Sequence, residues 1–262
     1  MEPTLLNIHH GFNFRDLGGY QTKSGQTIKR HRLIRSGKLD LLSDRDVQFL
    51  SDYGVRYDVD FRSPDEQHEA PDRVPTGASY HFLPIFPYDE TQVSRSWEER
   101  QQDFAADPLS GYKNMVHTYA DIVLLPTAQK SYRKFFDLLL SNNGNHSALL
   151  FHCSAGKDRT GMGAVYLLSA LGVDKDIIRN DYLTTNNYIK TPLAEVMASI
   201  PASNASENIE SSVHDLWTVK ADYLDSALAT INKHYGSMTN YLSEALDLTD
   251  AQVADLKRLY LA

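Results

Sequence analysis

A single cysteine among 262 residues leaves no internal disulfide to form, and a reducing compartment suits such a chain. No stretch approaches 18 consecutive apolar residues, so no membrane-spanning helix and no integral membrane association are expected. The opening Met1-Glu2-Pro3-Thr4-Leu5-Leu6-Asn7 lacks a basic region followed by an apolar run. A Sec-type signal is therefore not expected; the expected location is cytoplasmic, with export by a non-standard route left open. An excess of basic charge is also missing. The 26 Lys and Arg stand against 34 Asp and Glu, a net charge of −8, which argues against a general nucleic-acid binder and requires any basic site to be local. Ten histidines are present, but His9-His10, His68, His81 and His117 lack ligand-like spacing, and no metal site is expected. No internal repeat or shift in composition divides the chain, so residues 1–262 read as one domain large enough for a sizeable core.

Against these absences stands one dense stretch, His152-Cys153-Ser154-Ala155-Gly156-Lys157-Asp158-Arg159-Thr160-Gly161. Apolar or small residues, Ala148 to Phe151, lead into it and a helical pattern leaves it, so it lies where a buried strand turns into a helix. Each residue type has a task if the loop cradles a phosphoryl group. Cys153 is the candidate nucleophile. A free thiol is only a few per cent ionised at pH 7, so the loop must favour the thiolate. Backbone N–H groups from Ser154 through Ala155, Gly156, Lys157 and Asp158 to Arg159, and the positive end of the following helix, supply that bias. The same donors would hold the equatorial oxygens of a phosphate. Arg159 offers a planar fork that lysine cannot copy. Gly156 permits a conformation and a close approach that a Cβ would obstruct. Thr160 is placed to hydrogen-bond the sulfur as it leaves.

The sequence HCSAGKDRTG resembles the signature loop of cysteine-dependent protein tyrosine phosphatases. It is most similar to the bacterial branch that includes the mycobacterial phosphatase B and Listeria lipid phosphatase types. Asn13-Phe14-Arg15-Asp16-Leu17-Gly18-Gly19 resembles a motif near the N-terminus of the same family, and Asp60-Phe61-Arg62-Ser63 its Asp-Leu-Arg-Ser segment with Phe for Leu. The resemblance implies a tyrosine/dual-specificity phosphatase-like α/β fold, a central mainly parallel sheet flanked by helices, with helical insertions. It also implies metal-independent hydrolysis of phosphomonoesters, without a cofactor, on phosphorylated protein. His152 would shape the loop, and Arg62 would either orient the site or form a structural ion pair. Residues 191–215, around Pro201 and the run Ala202-Ser203-Asn204-Ala205-Ser206, would form either a mobile helical cover or a plain surface loop.

Three functional alternatives remain open at this point. A phosphoinositide phosphatase uses the same loop, and Lys157 together with the six Lys and Arg between Lys23 and Lys38 would suit its head group. A non-catalytic phosphate-binding module and rhodanese-like sulfur transfer fit the loop less well. The general acid has two candidates. Asp158 inside the loop is favoured, with loop shaping through backbone N–H groups as its alternative role; Asp89, after Phe86-Pro87-Tyr88, would serve from a separate loop.

Local signals complete the outline. Lys23-Ser24-Gly25-Gln26 reads as a hairpin turn. Ser43 to Asp46 has capping-box spacing and opens a helix that Gly54 ends. Residues 55–61 and 80–85 read as strands, 128–140 as a helix stopped by Asn142-Asn143-Gly144. The helix after the loop runs to about Leu171 with Gly172 as its stop, and another, capped at Val173-Asp174, runs to about Ile189. Amphipathic helices are expected over 220–234 and 238–261.

Overall fold

A computed structural model describes residues 4–88, 104–105, 107–200 and 206–262. Six strands, β1 (Thr4–Leu5), β2 (Arg15–Asp16), β3 (Leu33–Ser36), β4 (Val55–Asp60), β5 (Ser79–Phe82) and β6 (Ala148–His152), form one sheet in the order β1-β2-β3-β6-β4-β5. β3, β6, β4 and β5 run parallel, while β1 and β2 add an antiparallel edge. This is the α/β class, with the mainly parallel sheet flanked by helices, that the sequence led us to expect.

The hydrophobic residues divide by the two-residue period of the strands. Leu33, Leu149 and Phe151 face one cluster, with Tyr132, Phe135, Met162 and Tyr166; Ile34, Ala148 and Leu150 face a smaller one with Phe14, Leu39, Leu42 and Leu50. The smaller cluster is covered by α1 (Asp44–Tyr53), and α2 (Pro64–Glu69) follows β4. The larger face carries α3 (Ser110–Leu124), α4 (Pro126–Ser141), α5 (Arg159–Leu171) and α6 (Lys175–Tyr188). It is extended by α7 (Lys190–Ala198), α8 (Glu207–Trp217) and α9 (Ala221–Tyr235). Among the described residues no helix is long and apolar enough to cross a membrane.

Several boundaries follow from the signals that predicted them. Ser43 and Asp46 form a reciprocal capping box at the start of α1, and Gly54 ends that helix in the left-handed conformation, as Gly172 ends α5. Asn142 caps the end of α4, and Asp174 caps the start of α6 through the N–H of Asp176. The expected single helix over 238–261 is instead broken. A turn, α10 (Met238–Asn240), continues into a π-helical stretch Tyr241–Ala245, the chain reverses at Asp247 with φ +50°, and Thr249 opens a new capping box for α11 (Asp250–Tyr260). Amphipathic spacing persisted across that break, and only the Leu-Thr-Asp cap signal marked it.

The register places three strand ends side by side, because Ser36 pairs with His152 and His152 with Asp60. The segments Gly37-Lys38, Cys153 to Asp158 and Phe61 to Glu66 therefore leave the sheet together, at the carboxyl edge where open α/β sheets bind ligands.

Candidate active site

Phe151 pins the end of β6 into the core, and α5 begins at Arg159, so residues 153–158 form the strand-to-helix loop. Its carbonyls are held from behind. Ser154 O accepts from the Lys38 N–H at 3.1 Å, Ala155 O from Asn13 Nδ2 at 3.2 Å, and Gly156 O from both Asn13 Nδ2 and Arg35 Nη2 at 2.9 Å. Because a peptide's N–H and C=O point in opposite directions across a planar unit, fixing these three carbonyls turns the N–H groups of Ala155, Gly156 and Lys157 to the other side. None of the N–H groups from Ser154 to Asp158 donates a hydrogen bond within the described residues. Buried backbone donors left unpaired are rare and costly, and a row of them at the start of a helix is the architecture of an anion site.

The backing group comes largely from the N-terminal motif. Asn13 has φ +62°, and its Oδ1 accepts from Arg15 Nε at 3.0 Å. Arg15 and Arg35 both bind the buried Asp181, at 2.7 and 2.6 Å, and Tyr20 OH donates to the same carboxylate. Burial alone would raise the Asp181 pKa, but these two guanidinium groups and the hydroxyl hold it below its ordinary value. Gly156 sits at φ +67°, and a Cβ there would lie 2.2 Å from Ser36 O and 2.4 Å from Ser36 C. Gly156→Ala is therefore expected to lower the melting temperature, with left-handed strain alone worth about 1–3 kcal/mol, and to depress turnover as the loop is pushed off β3. Unchanged melting and turnover would show that the loop does not depend on this contact.

Arg159 is 1 % exposed, and its two terminal nitrogens grip Glu66 of α2, Nη1 to Oε2 at 2.5 Å and Nη2 to Oε1 at 2.9 Å. The Ser154 hydroxyl donates to the same carboxylate, and Glu66 Oε2 also accepts the Ser63 N–H at 2.9 Å, closing a capping box. Burial acts to raise the Glu66 pKa, but the Arg159 guanidinium, the Ser154 hydroxyl and the Ser63 N–H together hold it well below the usual carboxylate range. Glu66 was not among the residues singled out from sequence. The Ser63-Pro64-Asp65-Glu66 spacing was a readable cap signal, although nothing local tied it to Arg159.

Asp158 accepts from Lys157 Nζ at 2.6 Å and from Tyr119 OH at 2.8 Å, and Tyr182 OH in turn donates to Tyr119 OH at 2.8 Å. Burial first, and the neighbouring Asp158 charge second, raise the Tyr119 pKa well above its ordinary value, which keeps the hydroxyl protonated as a donor. The Asp158 side chain makes no capping bond to the helix start. Asp89, the other candidate acid, lies outside the described residues. Thr160 Oγ1 is buried and makes no hydrogen bond within the described residues.

His152 ends β6, directly before Cys153. Its Nδ1 is 3.3 Å from Cys153 O and its Nε2 is 3.0 Å from Asp72 and 3.4 Å from Asp58. Burial would lower its pKa, but Asp72 and Asp60 overcome that and raise it well above the ordinary value. Arg62 completes the cluster through Asp60, at 2.8 Å, and Asp72, at 3.0 Å. Donor atoms of Asp58, Asp72 and His152 lie within 4.8 Å of one another, and the Arg62 guanidinium already lies on Asp72.

A cavity of about 320 Å³ opens at the loop, bounded by Ser154, Glu66 and Arg62 and walled by Phe12, Trp217 and Val196. Part of the region expected to form a cover, Pro192, Glu195 and Val196 of α7, thus lines this cavity, while Trp217 lies just beyond that region and residues 201–205 lie outside the described set. The six basic residues from Lys23 to Lys38 are dispersed. Lys29 binds carbonyls of Arg258 and Leu259, Arg32 those of Asn142 and Gly144, and Arg30 the Thr4 hydroxyl, while Arg35 is buried on Asp181. Of the six, Lys38 lines the cavity, and Asp40 pairs with it at 2.8 Å.

The family model described as the tyrosine phosphatase family matches residues 6–262. The chain belongs to that family. It is 34% identical over 254 residues to a protein of Cupriavidus necator whose name assigns it provisionally to the tyrosine-protein phosphatases, covering 95% of this chain and 86% of that one. It is 28% identical over 260 residues to the triple specificity protein phosphatase PtpB of Mycobacterium tuberculosis, covering 89% and 91% of the two chains. A tyrosine-protein phosphatase of Nostoc commune is 25% identical over 232 residues, 88% of this chain and 74% of its own. The similarity of this phosphatase to these relatives thus extends over 88–95% of its chain.

Proposed function

We propose that the enzyme hydrolyses phosphotyrosine in proteins, and phosphoserine or phosphothreonine more slowly, through a cysteinyl-phosphate intermediate and without a metal ion. The observation that carries this reading is the pinning of three successive loop carbonyls, which leaves unpaired N–H groups beside Cys153, with Arg159 held by Glu66 at the start of α5. Cys153 thiolate attacks phosphorus, the S–P bond forms and the P–O bond to the phenol breaks. The loop N–H groups and Arg159 hold the charge on the equatorial oxygens. Asp158 protonates the leaving oxygen. Water then attacks the cysteinyl phosphate, its proton passes to Asp158, and sulfur departs as thiolate with Thr160 Oγ1 as its hydrogen-bond donor.

In the resting arrangement Lys157 Nζ and the Tyr119 hydroxyl both donate to Asp158. Asp158→Asn tests the assignment. It should cut kcat by about 10²–10⁴ for alkyl phosphates, less for p-nitrophenyl phosphate, and flatten the basic limb of the pH–rate profile. The same pattern in Asp89→Asn, with Asp158→Asn behaving as wild type, would transfer the role to the separate loop. The triple specificity in the mycobacterial relative's name accords with a loop that grips the phosphate rather than the alcohol.

A further inference from the structure

Beside the phosphate cavity lies a second and larger one, about 650 Å³, between the N-terminal segment and the α6–α7 junction. Leu5, Leu6, Ile8 and Phe14 form one wall, Tyr188 and Thr191 part of the other. The two cavities adjoin, because Phe12, Lys38, Leu41, Pro192 and Glu195 line both. Leu5 is 56% and Leu41 70% exposed, and they are two of the five large hydrophobic side chains left open to solvent among the described residues. Apolar surface gathered in a groove that adjoins a cavity reaching Ser154 of the loop has the character of a recognition site.

We propose that this groove is a substrate subsite that takes the apolar residues flanking phosphotyrosine in a peptide. The proposal rests on the phosphotyrosine reading above. Its volume is in the range that holds a small ligand, with room for more than one side chain. β1 is the edge strand of the sheet, so the Leu5 wall offers an extended backbone as well as side chains. Charge at the shared rim decides the class of occupant. Lys38 is already met by Asp40, and Glu195 makes no ion pair among the described residues; Glu69 adds a further carboxylate to the phosphate cavity. A multiply phosphorylated inositol head group, or an anionic bilayer surface, would meet these carboxylates, whereas a peptide with neutral, apolar neighbours would not.

The test compares wild type with Leu5→Asp and Thr191→Asp, two residues that line the larger groove and not the phosphate cavity. Both are exposed, so neither substitution empties the core. Substrates are phosphotyrosine peptides with Leu or Phe beside the phosphotyrosine, the same peptides with Asp there, p-nitrophenyl phosphate, and phosphoinositide in phosphatidylcholine vesicles. Wild type should prefer the apolar peptides by about tenfold or more in kcat/KM, as a hydrophobic pocket can. Each variant should lose that preference while turning over p-nitrophenyl phosphate at the wild-type rate. Equal rates on all peptides, or variants that lose peptide and p-nitrophenyl phosphate turnover together, would overturn the subsite. A phosphoinositide preferred by wild type and lost in the variants would assign the groove to a lipid. No turnover of any phosphotyrosine substrate, p-nitrophenyl phosphate included, would remove the functional reading and the subsite with it.

Discussion

Replacement of Cys153 by serine is expected to abolish turnover, with a loss on the order of 10⁴–10⁶ in kcat, as when other nucleophiles are removed. A serine hydroxyl has the same reach but is far less acidic than a thiol and is a poor nucleophile unless a base activates it. Binding should survive, since the donors proposed to hold phosphate are backbone groups and Arg159. Vanadate or phosphate should therefore still protect Cys153→Ser against thermal unfolding. Retention of a tenth of wild-type activity would refute the nucleophile assignment, and loss of both turnover and anion binding would point to a damaged loop instead.

The second large effect is expected at the Arg159–Glu66 pair. Arg159→Lys preserves charge but loses one of two parallel bonds to Glu66 and the fork offered to phosphate, so kcat should fall by roughly 10²–10³. Glu66→Gln keeps the shape of the partner and strips its charge, leaving a buried guanidinium uncompensated. Breaking such a pair from one side typically costs about 3–5 kcal/mol of stability. Because the Glu66 pKa is depressed in the fold, its stabilisation is present above the ordinary carboxylate pKa and is lost only as pH falls through the lowered folded value. Wild type should thus resist mild acid better than Glu66→Gln, whose melting temperature should lack that strongly acidic limb. A double mutant no worse than the poorer single mutant would show that the residues act as one unit; strict additivity in kcat would separate them.

The parts of this molecule that could be read from sequence are those in which cause and effect lie close along the chain. The capping box at Ser43, the left-handed stops at Gly54 and Gly172 and the β6–loop–α5 transition each occupy a few residues. The residues that aim the loop do not. Asn13 and Arg35 reach Gly156, Asp181 holds Arg35, Tyr119 holds Asp158 and Glu66 holds Arg159, all across long separations in sequence. No periodicity encodes such pairings, because they are set by strand order and helix packing. The Asn13 to Gly19 motif could be matched to a family, but its task of turning carbonyls away from the phosphate side emerges only when β2 and β3 lie beside β6.

That strand order also governs when the enzyme can come into being. β6 is the central strand, hydrogen-bonded to β3 on one side and β4 on the other, yet it follows both in the chain by a long helical stretch. Until it arrives, β3 and β4 have no partner between them, and each shows an unpaired edge during synthesis. Closing so long a loop delays the nucleating contacts and makes folding slow relative to a locally connected helical protein. Insertion of the last strand and assembly of the phosphate loop are one event, since Cys153 is the residue that follows it. If the proposed site is right, a nascent chain is inert until its sheet is complete, and the hazard it carries before then is aggregation.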